Sequence, residues 1–153
     1  MNNNVPIKTG LLLSDSKENT YRVISIFNDA VTMIQVTENN KIIKKRLAIS
    51  TLPLPELRSF ITKQQYYVVD EKPIDFSMND LTEHEKETFI RYRDFVTAIV
   101  REYSPSYMRL LGKESKPSVD RLIEQVGLSR EGARIVLVRY LQSGFKEAAL
   151  MPN

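Results

Sequence analysis

The chain has 153 residues, 42% of them hydrophobic and 27% charged, with a formal net charge of +3, the balance of one ordinary soluble globular domain or two small ones. There is no cysteine and a single histidine, His84, which excludes a disulfide framework, a thiol nucleophile, a cysteine zinc finger and a histidine-rich metal site. The mild positive charge permits nucleic acid without requiring it.

The Asn-rich start is expected to be disordered, and it lacks the regions of a signal peptide. No apolar run approaches the roughly 20 residues of a membrane span. The expectation is a cytoplasmic protein with no membrane partner.

In chain order, residues 8–14 (KTGLLLS) allow a first strand. Residues 20–27 (TYRVISIF) alternate, with Tyr21, Val23, Ser25 and Phe27 on one face and Arg22, Ile24 and Ile26 on the other. Asn28-Asp29 is a turn pair. Residues 30–37 (AVTMIQVT) alternate again, Glu38-Asn39-Asn40 is a second turn, and residues 41–49 (KIIKKRLAI) return as a third strand. The four basic residues of KIIKKR read first as protection of a strand edge and second as a phosphate-binding strip. PLPELRSFITKQ reads as a short helix begun by proline, and YYVVDE as a last strand.

Residues 71–80 (EKPIDFSMND) have no clear period and read as a linker, so the two halves are expected to be separable. Thr82 and Glu85 then form a capping box. Phe89, Tyr92, Val96, Ile99 and Tyr103 share one face of the helix that follows, and Ser104-Pro105 ends it. SPSYMRLLG is a short helix or turn. KPSVDRLIEQVG is a helix with Leu122, Ile123 and Val126 inward, closed by Gly127. Ser129 caps a final helix with Ala133, Val136, Leu137, Tyr140 and Leu141 inward, closed by Gly144. The fold class is α+β: a small N-terminal β-meander or barrel (residues 8–71) followed by a helical helix-turn-helix domain (residues 80–153).

Two short helices joined by Gly127-Leu128-Ser129 form a helix-turn-helix candidate. In this motif the N-terminal residues of the second helix enter the major groove. Here those are Ser129, Arg130, Glu131 and Arg134, with Val138 and Arg139 further along. Arginine binds guanine O6 and N7 in bidentate fashion. Lys116 and Ser118, at the start of the preceding helix, are candidates to hold a phosphate through backbone N–H groups. The competing reading is an ordinary solvated helix face. No phosphate-cradling glycine loop is present, no metal-ligand cluster stands out, and His84 among Glu83, Glu85 and Glu87 reads as solvated. No catalytic residue or cofactor is expected.

The segment NTYRVISIFNDAVTMIQV resembles the opening hairpin of the N-terminal region of TnsB-type transposases, of the Mu transposase and retroviral integrase superfamily. SREGARIVLVRYLQSGFKEAALMPN resembles that family's recognition helix and the stretch leading toward its catalytic region. The likeness runs from about Thr20 to the end. It implies a DNA-binding N-terminal fragment of a transposase that recognises transposon-end duplex DNA. The magnesium-dependent Asp-Asp-Glu domain would lie in a larger parent protein, as would contacts with an AAA+ ATPase and other transposase subunits. No acidic residue here matches a triad position. The alternatives are a small helix-turn-helix transcription regulator with a β-rich sensor or dimerisation module, and a protein-docking module.

Overall fold

The computed structural model describes residues 5–72 and 76–152. The first four residues and the middle of the expected linker, residues 73–75, lie outside that range. Six strands form one antiparallel sheet: β1 (Leu12–Ser14), β2 (Thr20–Phe27), β3 (Ala30–Glu38), β4 (Lys41–Ile42), β5 (Ile49–Pro53) and β6 (Tyr67–Val68). The order is β4-β3-β2-β1-β6, with β5 also pairing β3. No pairing among the described residues joins the two ends of the sheet, so its core is a meander rather than a closed barrel. Helix α1 (Leu54–Thr62) lies between β5 and β6. Helices α2 (Glu83–Tyr103), α3 (Lys116–Val126) and α4 (Arg130–Gln142) follow, with short 3-10 turns between and after them. The protein is α+β.

Local chemistry sets the hairpins. Asn28 and Asp29 both take positive φ (51° and 59°), as do Asn39 and Asn40 (49° and 66°). Two left-handed residues in a row make the tight turn whose twist matches its strands, and Asn and Asp tolerate that conformation. Strand β2 departs from strict alternation. Val23 pairs with Met33, but Ser25 pairs with Thr32, so Ile24 is an extra residue. Such a bulge reverses side-chain parity beyond it. Tyr21, Val23 and Ile26 therefore share the face under α1, with Leu13, Val31, Met33 and Leu57. Ile24 and Ile34 point to the opposite face, under the later helices. Both faces of the sheet are covered, and Arg22, Val23, Ile24 and Ser25 are buried in succession.

The expected third strand is not continuous. Strand β4 ends at Ile42 and β5 begins at Ile49. The chain leaves the sheet after Ile43, whose N–H still bonds Val36 O at 2.9 Å, and rejoins where Ala48 O accepts from Gln35 N–H at 2.9 Å. A regular strand would have turned part of the Lys44-Lys45-Arg46 run into a covered face, where unpaired charge is costly. In the loop all three are exposed, while Leu47 packs against the helical core.

The capping box of α2 forms as the sequence predicts. Glu85 N–H donates to Thr82 Oγ1 at 3.2 Å, and Thr82 N–H donates to Glu85 Oε1 at 2.9 Å. Its core stripe is wider than expected, because Phe95 is buried beside Phe89, Val96, Ile99 and Tyr103; α2 packs against both α3 and α4. Gly127 closes α3 with φ 71°, as the sharp turn requires. One apolar cluster joins Ile24, Ile34 and Ile49 of the sheet to Phe89, Ile99, Val136, Leu137 and Leu141 of the helices. The packing is thus continuous across the 71–80 boundary.

Candidate nucleic-acid interface

Helix α4 is wedged between α2 on one side and β2 and β3 on the other. Ala133, Val136, Leu137, Val138, Leu141 and Gln142 are buried. Val138, expected on the outward face, is fully buried instead, in a helix packed between α2 and the sheet. Ser129, Arg130, Glu131 and Arg134 are the exposed positions of the capped helix. Its N-terminal turn is therefore the part open to a ligand.

That turn borders a cleft of about 600 Å³. Its rim carries Lys45 from the β4–β5 loop, Lys113 and Lys116 from the entry to α3, and Arg130 and Arg134 from α4. Asp120 and Glu131 are its acids, and its floor is apolar, with Leu47, Leu110, Ile123 and Leu137 among its residues. Both acids are engaged. Glu131 pairs with Lys45, whose hydrogen bond, then its charge, holds the Glu131 carboxyl below its ordinary range. Asp120 Oδ2 lies 3.6 Å from Arg130 Nη2. Arg134 has no ion-pair partner among the described residues.

Lys116, Arg130, Glu131 and Arg134, expected from sequence, are brought together here. Ser129 caps α4, its Oγ accepting from Gly132 N–H at 3.0 Å. Ser118 is exposed on the first turn of α3, outside the cleft lining. The expected backbone phosphate cradle there is reduced, because Lys116 N–H already bonds Lys113 O and Pro117 has no N–H. Arg139 is not brought to the cleft. It is half-buried, its Nε donating to Ala149 O at 2.7 Å and its Nη2 to Met151 O at 3.3 Å. Sequence reasoning gave Lys113 no role and placed Lys45 on a strand. Spacing on one helix cannot reveal residues that arrive from other segments.

Among the described residues no group of three or more His, Asp or Glu side chains is placed to hold a metal ion. No described helix is long and apolar enough to cross a membrane. Compared with models of known protein families and with curated proteins, the sequence finds no match.

Proposed function

We propose that this chain is a sequence-specific DNA-binding module that reads duplex DNA with the exposed N-terminal turn of α4. The observation that carries this reading is the placement of charge. Five Lys/Arg and two Asp/Glu line the cleft, an excess equal to the +3 of the entire chain. The rest of the protein is electroneutral, so attraction for a polyanion is focused at the tip of the helix-turn-helix. Arg130 and Arg134 stand one turn apart there, suited to guanine edges, while Lys113 and Lys116 are suited to phosphates. Because the rest of α4 is buried or half-buried, it would enter the groove tip-first.

Joined to the sequence resemblance, this supports the end-binding region of a DNA transposase, acting in the cytoplasm as part of a larger protein. The residues described here have no catalytic role in that reading.

Fluorescence anisotropy with transposon-end and scrambled duplexes at two salt concentrations tests it. The wild type is expected to prefer the end duplex and to lose affinity as salt rises. Arg134→Ala should weaken specific binding about ten- to hundredfold, and binding to scrambled duplex much less. Absence of salt-dependent duplex binding overturns the DNA reading. Dimeric binding to a palindrome with half-sites about 10 bp apart would instead support the regulator.

A further inference from the structure

The β4–β5 loop, residues 43–48, carries Lys44, Lys45 and Arg46 as an exposed run. Arg46 turns back to Glu38 at 2.9 Å. Lys45 reaches across to the first turn of α4 and pairs with Glu131, both side chains more than half exposed. Lys44 has no ion-pair partner among the described residues. The loop is rooted at both ends: Ile43 O accepts from the Gln142 side chain at 2.7 Å, and Leu47 packs into the helical core. It therefore holds its lysines in a fixed relation to the helix that bears Arg130 and Arg134.

We infer that this loop is a second DNA-contacting element: Lys44 and Lys45 grip phosphates flanking the groove entered by α4, and Lys45 exchanges Glu131 for a phosphate when DNA binds. The inference rests on the DNA-binding reading above. An exposed ion pair in water is weak and easily given up. A DNA phosphate rewards its replacement by releasing condensed counterions. A helix that presents one turn makes few contacts by itself, so a second grip from the strand-rich half is what the duplex needs to be held in register.

The test compares wild type, Lys44→Ala/Lys45→Ala, and Lys63→Ala as a control on an exposed lysine outside the cleft. Circular dichroism and thermal melting check folding; Lys44→Gln/Lys45→Gln replaces the alanine pair if that fails to fold. The double variant is expected to lose about tenfold in affinity at low salt, equally for specific and scrambled duplex, and to lower the salt slope by about two. Lys63→Ala should change neither.

If Arg134→Ala abolishes preference for the specific duplex while the loop variant binds both duplexes like wild type, the loop inference fails and the DNA reading stands. If wild type binds anionic vesicles and no duplex, both fail. A Glu131→Gln background separates the remaining explanation. Lys45→Ala should still weaken binding there, because the lost contact is to phosphate. If the effect vanishes, Lys45 served only to neutralise Glu131, and the inference is overturned.

Discussion

The side-chain amide of Gln142, the last residue of α4, donates to the carbonyl of Ile43 at 2.7 Å, 99 positions away in the chain. It also donates to Gln35 O at 3.2 Å. One buried amide thus occupies the gap opened where β4 leaves the sheet, and fixes the loop root to the helix. Gln142→Leu keeps much of the volume and leaves both carbonyls without this donor, at a cost of about 1–3 kcal/mol for a buried group left unsatisfied. Urea denaturation gives the stability, and hydrogen exchange should show faster amide exchange over residues 43–48. Unchanged stability together with unchanged exchange would show that the amide is not what holds the loop.

A second tie crosses the same seam. Arg22 is buried on β2, its Nε donating to Gln142 O at 2.8 Å and its Nη1 to Gly10 O at 2.7 Å, while Nη2 meets Glu71 Oε2 at 2.6 Å. Glu71 itself is about a third exposed, so the loss falls chiefly on the Gln142 and Gly10 carbonyls left without their charged donor, and Arg22→Ala should cost about 1.5–3 kcal/mol. Since Arg22 joins β2 to the end of α4, and the apolar cluster spans both halves, thermal melting should show one transition. Two resolved transitions by calorimetry would restore the separable halves expected from the linker chemistry.

Glu71 makes this tie sensitive to acid. The hydrogen bond from Arg22, reinforced by the charges of Arg22 and Lys146, holds its carboxyl below the ordinary value of 4.5 against the opposing effect of burial. The folded state therefore binds this proton less readily than the unfolded state. The resulting stabilisation is present above the ordinary carboxyl pKa and is lost as pH falls from there through the lower folded value. Glu71→Gln should lower stability at neutral pH and flatten the acid limb of the stability profile below about pH 5. A parallel profile in wild type and variant would mean that another carboxylate drives the acid loss.

The sequence is most legible where a residue's own chemistry decides the backbone. The Asn28-Asp29 and Asn39-Asn40 turns, the Thr82–Glu85 box and the Gly127 turn all depend on a few adjacent residues. The exceptions depend on what packs from elsewhere. Alternation in TYRVISIF is broken by a bulge at Ile24 that lets Ile24 face the helices and Ile26 face α1. Val138 has the spacing of an outward residue, and only the tertiary packing around α4 makes it core. At the candidate site, helix-turn-helix spacing singles out Arg130, Glu131 and Arg134, which share one turn. Lys45 and Lys113 come from segments that only tertiary packing brings beside them. Arg139 reads as one more groove-facing arginine until the C-terminal segment folds back over it.

That segment gives Arg139 a role separable from DNA. Its guanidinium holds Ala149 O and Met151 O, and Leu150 between them is fully buried. Hydrogen bonds to a charged donor contribute about 1.5–3 kcal/mol, so Arg139→Ala should destabilise the fold by about that much. Duplex affinity of the folded variant should be unchanged. A selective loss of sequence preference at full stability would return Arg139 to the reading surface.

The two sides of α4 should respond in opposite ways to substitution. Val138 is fully buried in the helix segment packed between α2 and the sheet. Val138→Thr changes the shape little but buries a hydroxyl, at about 1–3 kcal/mol; a bond from that hydroxyl to the carbonyl one turn back would offset part of the cost. Arg134 is exposed and unpaired among the described residues, and alanine is the better helix former. Arg134→Ala should therefore stay within about 0.5 kcal/mol of wild-type stability while losing duplex preference. The expected pattern is reciprocal: denaturation midpoints move for position 138 and not 134, and anisotropy of the folded proteins moves for 134 and not 138. If Val138→Thr is neutral in stability yet weakens duplex binding, that side of α4 faces DNA, and the helix does not enter the groove by its tip.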